Sequence, residues 1–589
     1  MEIINKYRSC IWPVGIAQQL LLGGITLYWL IFLHIAWNNR GGWGTDLPYN
    51  LLGFGVIFSL CTVFWLFSSN KTFQFGTTGK LLFLGAVLMT LPLLWSPSFA
   101  TVIYAIPRMT GMWGGLLFWL TLRQCHLSSP LRLWGLYCLA GAGIIETVIV
   151  LIEMYVQPEW LPVIWQQLMT QYGRSGVGVF QQVNVTASFL AMALAAVLTL
   201  IIIRSAILNN LYLERIRQAL LMTGSVAISA VLTLVYSRTG WLAGLVVVVS
   251  LYCLFACSRY QNEGKRQYLL LALPLLGMVI GLLLMPLNFN QALEAHGDSN
   301  YQRLITLFYT FMYATHHPLL GYGAGTYEGA YQHYLIGLPG GNPAHEVMTH
   351  PHNELLYQYA EGGFVALVGA LIWCVMVMRL WIRSASAQSY SILICMLPVM
   401  MHSQLEYPLY YSVPHYLALL MLLCLAEPVT GSSEKQQSAK WNYVKRLIRF
   451  LMLLLSLYGA KASFQSYYVW QVLGKFEASA LVNPEVITDL DVPWVMRLRY
   501  EQDKTLLRLF RFSHKPDITS LRDFTRENAT WISVHAWPIL YSNQVSVLKY
   551  LHDQKETAFW QDQAYRTFPW KKNFKFMSKK TSERASTDE

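Results

Sequence analysis

The chain has 589 residues, 54% of them hydrophobic and only 13% charged, with a mean hydropathy of +0.37. Soluble domains carry about a quarter charged residues, so this composition excludes a disordered chain, a coiled coil and an ordinary cytosolic enzyme. The formal charge is +12, and the position of those cations decides whether they signal nucleic acid or membrane topology.

A bilayer-spanning helix needs about 20 mostly apolar residues. In chain order thirteen segments fit: 14–36, 49–68, 80–96, 103–122, 131–152, 185–203, 217–236, 241–257, 267–286, 363–380, 389–403, 409–426 and 446–464. The third and eleventh are short enough to be re-entrant, so the expected fold is an all-α polytopic membrane protein with eleven to thirteen transmembrane helices. The first segment lacks a small-residue cleavage site and precedes further spans, which makes it an anchor. With the N-terminus inside, nineteen lysines and arginines fall in one set of loops. The opposite set holds only Arg40, Arg108, Arg174, Arg238 and Arg303. Positive residues in short loops stay cytoplasmic, so the first set faces the cytoplasm and the C-terminal region lies outside. Topology therefore accounts for most of the charge outside that region, and no nucleic-acid partner is expected. The nine cysteines lie in spans or near the cytoplasmic face, which argues against a structural disulfide.

This divides the chain into N-terminal spans (1–170), a signature segment with its span (171–203), further spans (204–286), an external loop (287–362), C-terminal spans (363–464), a small, mostly helical external domain (465–570) and a basic tail expected to be disordered (571–589). Helical periodicity in the external domain is clearest at 499–512 and 544–565.

Three external arginines stand in unusual settings: Arg174 before SGVGVFQQVNVTASFLA, Arg238 between two apolar runs, and Arg303 in SNYQRLITLFYTF. A cation at bilayer depth costs ~2.5–3.5 kcal/mol on insertion scales; snorkelling relieves part of that. Three on one face suit a polyanion at the membrane surface, because guanidinium forks match phosphate oxygens. Nine of the fourteen histidines fall between 296 and 415, most densely in NPAHEVMTHPHNELLYQYAEGGF. A zinc site on His350 and His352 would need a third ligand such as His345 or Glu346 in tetrahedral geometry, and Pro351 keeps the loop extended; no metal is expected. GYGAGTYEG (321–329) has no GK[ST] ending and follows no strand, so it reads as a tight turn beneath the histidine loop. Glu146 lies within the fifth span, as a packing or functional group. His402 and Glu406, in MHSQLEYPLYY, return to the external face.

GVGVFQQVNVTASFLA (176–191) resembles the glutamine–asparagine signature of PglL-type bacterial protein O-oligosaccharyltransferases. The run from Arg238 through HHPLLGYGAGTY to HPHNELLYQYAEGG is similar to the broader O-antigen ligase/polymerase (Wzy-C) superfamily, and HSQLEYPLYYSVPHYLALL resembles the C-terminal part of the PglL branch. These motifs cover roughly residues 170–425. One departure is Ala366, at the last position of a ligase pattern otherwise met by His352, Asn353 and Gly363. The resemblance implies a bacterial inner-membrane enzyme with its active site facing the periplasm. It would move an oligosaccharide en bloc from undecaprenyl pyrophosphate to Ser or Thr of a periplasmic protein, such as a pilin, with no cofactor. It implies a leading catalytic role for His352, as general base or pyrophosphate ligand. Arg174, Arg238, Arg303, Gln181, Gln182 and Asn184 would bind the donor, supported by His350, Asn353, Glu354, His402 and Glu406. Membrane lipids are the remaining partner. The nearest alternatives are an O-antigen ligase acting on lipid A core and an O-antigen polymerase. A lipid-linked glycan transporter would place its ionisable groups near mid-membrane between repeated halves, and no repeat is evident.

Overall fold

The computed structural model describes residues 15–37, 44–68, 73–256, 268–285, 297–427, 439–479 and 485–574, and every element among them is helical. Helices of ten or more residues are α1 (Ile16–Leu30), α2 (Pro48–Phe67), α3 (Gly76–Thr90), α4 (Phe99–Arg123), α5 (Ser129–Tyr155), α6 (Val163–Tyr172), α7 (Val183–Ile202), α8 (Leu211–Leu234), α9 (Arg238–Ala256) and α10 (Leu269–Leu284). They continue with α11 (Gly297–Ala314), α12 (Tyr327–Ile336), α13 (Glu354–Arg383), α14 (Ala387–His402), α15 (Val413–Ala426), α16 (Ala439–Ala478), α17 (Arg497–His514), α18 (Ile518–Ile532), α19 (Pro538–Tyr550) and α20 (Gln554–Thr567).

The protein is a multi-pass membrane protein. The described residues of all thirteen expected segments are largely helical. Among the described residues nine helices are long and apolar enough to cross a membrane, and α10, α14 and α15 are shorter apolar helices. The remaining segment lies in α4, which carries Pro107 and Arg108 inside its apolar run. The third segment extends over Gly76–Trp95, a full crossing length. Seven cysteines among the described residues are free thiols; Cys10 and Cys257 lie outside them.

Two compact units emerge, one of residues 1–83, 111–292 and 373–464, the other of 84–110, 293–372 and 465–589. In the first, α7 is the central helix. Apart from Asn184, Thr186, Ser188 and Thr199 it is apolar, and it is enclosed along its length, with α5, α8, α9 and α14 packed around it. A helix with no polar face has to be covered on every side. Close helix approach is set by small residues: a Cβ on Gly277 of α10 would stand 2.3 Å from the Val226 carbonyl of α8.

In the second unit α17 to α20 pack each against the next. Leu521, Phe524 and Val547 form one core. Trp531, Val534, Leu540, Phe568 and Phe574 form another, shared with Ala100 and Ile103 at the start of α4. Packing therefore continues past residue 570 to Phe574; the expected disordered tail from 575 lies outside the described residues. The described part of segment 287–362, expected from the sequence to be an external loop, contains two helices of its own, α11 and α12. Buried Glu328 of α12 accepts from the Ala536 N–H (3.0 Å), His535 Nδ1 (3.1 Å) and the Tyr104 hydroxyl (3.2 Å). Gly329 of α12 leaves no room for a side chain, since a Cβ there would meet the Ser533 carbonyl at 1.8 Å. These contacts lock the C-terminal helices onto α12.

Candidate active site

The first unit builds one polar constellation around the loop 173–182 that joins α6 to α7. Gly173, Gly176, Gly178 and Gln181 all have positive φ, a region that favours glycine. A Cβ on Gly178 would lie 2.0 Å from Glu146 Oε1. The loop's N–H groups converge as an anion nest would, but two glutamates of α5 already fill it. Glu153 accepts from Gly176 (3.0 Å), Val177 (3.1 Å) and Gly178 (2.8 Å), and Glu146 accepts from Val179 (2.9 Å) while pairing with His34 (3.2 Å). Two helical turns apart, the two carboxylates share a helix face. Glu146 thus serves to fix the signature loop.

From that fixed loop the signature side chains reach a second motif far along the chain. Gln182 donates to Glu406 Oε2 (3.2 Å) and Asn184 to Glu406 Oε1 (2.6 Å), while His402 Nε2 stands 3.1 Å from the same carboxylate. The Ser188 hydroxyl lies 2.8 Å from His402 Nδ1 and 3.1 Å from His415 Nε2. The Val185 carbonyl, 3.0 Å from His415 Nε2, can only accept. His415 therefore carries its proton on Nε2, and the Ser412 hydroxyl donates to Nδ1 (2.7 Å). Ser237, immediately before Arg238, donates to Asn184 Oδ1 (2.7 Å) and accepts the Gly240 N–H (3.0 Å) at the start of α9. The result is a continuous buried network, Ser412–His415–Ser188–His402–Glu406–Asn184–Ser237. Gln181 is held separately, donating to the Trp37 carbonyl. Beside it a small cavity of about 20 Å³, lined in part by Tyr49, Phe180 and Tyr411, has room for about one water. Arg174 is exposed, 3.4 Å from the Met154 carbonyl, and Arg238 is exposed at the first residue of α9. Arg40 lies outside the described residues.

The second unit builds the histidine constellation. His352 has φ +59 and its N–H donates to His350 Nδ1 (3.0 Å). His350 is buried, with Nε2 3.6 Å from Glu354 and its ring 4.4 Å from that of Tyr357. Burial lowers the His350 pKa and Arg108 acts in the same direction, against the opposing pull of Glu354. Arg108 sits over the Tyr357 ring, 4.5 Å from its centroid, and pairs with Glu361. Glu361 also accepts from Gly325 (3.0 Å) and Tyr327 (3.2 Å), so the glycine-rich turn folds onto the first turns of α13. Gly321, Gly323 and Gly325 have positive φ, and a Cβ on Gly325 would meet the Thr101 carbonyl at 2.0 Å. This is the tight turn expected from the sequence. Asn353 caps α13 by accepting the Leu356 N–H (2.9 Å). Gly363 interrupts α13 at φ +56, where a Cβ would lie 2.4 Å from the Leu319 carbonyl. Ala366 is buried, and a Cβ on Gly362 would stand 2.3 Å from its own, so a small residue suits position 366. Arg303 is half-buried on α11, next to Gln302, which accepts the His345 N–H (2.9 Å). Among the described residues no three His, Cys, Asp or Glu side chains are grouped to hold a metal.

The structure therefore joins Gln182, Asn184, His402 and Glu406 in one constellation and His350, His352, Asn353 and Glu354 in another. Sequence reasoning passed over Ser188, Ser237, His415 and Glu153 in the first, and Tyr357, Glu361 and the pairing of Arg108 in the second.

Residues 223–371 match the O-antigen ligase family, and residues 391–582 match the C-terminal region of virulence-factor membrane-bound polymerases. The chain is 23% identical over 441 residues to a general O-oligosaccharyltransferase of Acinetobacter baylyi, covering 69% of this chain and 70% of the relative. Both matches and this relative support a PglL-type Wzy-C affiliation. The ligase match takes in Arg238, Arg303 and the histidine loop, and the second match takes in His402, Glu406 and the C-terminal helices. These likenesses support a glycan-transferring activity of protein O-glycosylating or ligase type.

Proposed function

We propose that this protein transfers a preassembled oligosaccharide from undecaprenyl pyrophosphate to Ser or Thr of periplasmic proteins such as pilins, at the periplasmic face of a bacterial inner membrane. The observation that carries this reading is the Gln182/Asn184–Glu406–His402 network. It unites the two segments whose resemblance favours the protein-glycosylating branch over lipopolysaccharide ligases. The likeness to a general O-oligosaccharyltransferase supports the same branch.

In this reading an acceptor hydroxyl attacks the anomeric carbon, the bond from that carbon to the phosphate oxygen breaks, and the pyrophosphate leaves with the electron pair. Negative charge on the leaving group needs preorganised cations, the role assigned to Arg174, Arg238 and Arg303. The hydroxyl proton needs an acceptor, the role assigned to His352 unless that imidazole binds pyrophosphate instead. Gln181, Gln182 and Asn184 act as uncharged partners for sugar or pyrophosphate, with Glu406 and His402 setting the orientation of the last two. Direct displacement inverts the anomeric centre, and linkage analysis finding retention would overturn it. Transfer to lipid A core is the second reading, favoured by the ligase-family match over 223–371. Expression in a strain that makes a lipid-linked glycan, with and without a candidate pilin, separates the two: glycan on the protein supports protein glycosylation, and glycan solely on lipid A core refutes it.

A further inference from the structure

Helix α11 is amphipathic in the wrong sense for a helix in water. Its inward face mixes polar and apolar groups: Gln302, Thr306 and Thr310 are buried beside Ile305, Tyr313 and Ala314, with Thr310 2.7 Å from the Tyr327 hydroxyl and Gln302 held by the His345 N–H. Its outward face is apolar. Tyr301, Leu304, Phe308 and Phe311 each leave more than half of their surface exposed, and Met312 is exposed beside them. At about 100° per residue these five fall within an arc of roughly 100°, and none is charged. The half-buried Arg303 stands on the opposite side of the helix.

The exposed stripe does not end with the helix. It runs on into Leu319 and Leu320, 69% and 51% exposed, in the turn after His316 and His317. That turn is rigidly seated: the Pro318 carbonyl accepts the Phe364 N–H (2.8 Å), and Trp95 Nε1 donates to the Leu320 carbonyl (2.7 Å). Phe364 opens the exposed row Phe364, Val368 and Leu371 on α13, a helix of membrane-crossing length. Leu94, 80% exposed beside Trp95, ends the row Leu84, Val87 and Leu94 on α3 and its continuation. Gly369 of α13 packs against the Gly85 carbonyl of α3. Two membrane-crossing helices thus deliver their outward apolar rows to the very turn where the α11 stripe arrives.

We infer that α11 and the 315–322 turn form a lipid-seated collar, lying in the headgroup–acyl boundary of the leaflet on the histidine-loop side. Apolar residues there enter the acyl region, as in helices that lie in a membrane surface, and His316 and His317 stand at headgroup level. The occupant is bilayer phospholipid. An uncharged stripe continuous with the lipid-facing surface of two spans fits it better than it fits a protein partner or a second copy. The collar is independent of which acceptor the enzyme uses.

A photoreactive benzoyl-phenylalanine placed singly at Phe308, Leu319, Val368 or Phe559 in the full-length protein tests this in native membranes, with adducts identified by mass. Val368 is the lipid-facing reference, and Phe559, exposed on α20, is the water-facing one. Phospholipid adducts at Phe308 and Leu319 comparable to those at Val368, and at least about tenfold above Phe559, are expected. Lipid adducts at Val368 but not at the other two, or protein adducts at Phe308 and Leu319, would overturn the inference.

Discussion

Glu406 receives Gln182, Asn184 and His402 at one buried carboxylate, so its removal leaves three polar groups without their acceptor. Each orphaned buried group costs about 1–3 kcal/mol. Glu406→Ala is expected to lower glycan transfer by at least about tenfold, and Glu406→Gln to retain more, since one carbonyl oxygen remains; initial rates in membranes check this ordering. His352→Ala is expected to abolish transfer while leaving expression and thermal stability unchanged, because the ring is half-buried and Asn353 keeps the α13 cap. Full transfer by that variant would remove His352 from the chemistry. The four members of the Glu406 cluster were legible because amides, a histidine and a carboxylate are conspicuous among apolar residues. Their pairing was not, because nothing local links residue 184 to residue 406. Ser188 was hidden because a serine in an apolar helix reads as packing. In the sequence Arg108 is one of five external arginines, and only the fold brings it to Glu361.

At the scale of elements, α13 depends on Gly363. Its φ is open to glycine, and a Cβ would strike the Leu319 carbonyl; strain of this kind costs about 1–3 kcal/mol before the clash is added. Gly363→Ala should lower the melting temperature and the transfer rate together. A second element-scale prediction concerns pH. Asp503 of α17 is buried and lies beside Glu477, which together push its carboxyl up to about 8 despite the nearby Arg499. A carboxyl raised in the folded state stabilises below its unfolded value near 4 and loses that contribution as pH rises through about 8. Hydrogen exchange of α17 in the full-length protein should therefore be slower at pH 6 than at pH 9 after correction for intrinsic rates, and Asp503→Asn should remove most of the difference. An equal pH dependence in that variant would contradict the assignment. The membrane-crossing elements were readable from runs of apolar residues. Helices α11 and α12 were not, because α12 is short and rich in tyrosine and the apolar period of α11 faces outward instead of into a core.

For the molecule as a whole, composition and the asymmetry of lysine and arginine led directly to a polytopic membrane protein, and the family matches agree with the chemistry implied by its motifs. The C-terminal helices are part of the second unit's core, joined to α12 through Glu328. Glu328→Ala leaves the Ala536 N–H, His535 and the Tyr104 hydroxyl without their buried acceptor, at about 1–3 kcal/mol for each orphaned group, read as faster hydrogen exchange across α18 and α19. The central claim is protein O-glycosylation, and the direct measurement is a reconstituted reaction: purified protein in liposomes, a lipid-pyrophosphate-linked oligosaccharide, and a folded pilin, with the products mapped by mass spectrometry. One intact oligosaccharide on a Ser or Thr of the pilin is expected, absent with the His352→Ala enzyme. Transfer to added lipid A core with no glycan on any protein would contradict it.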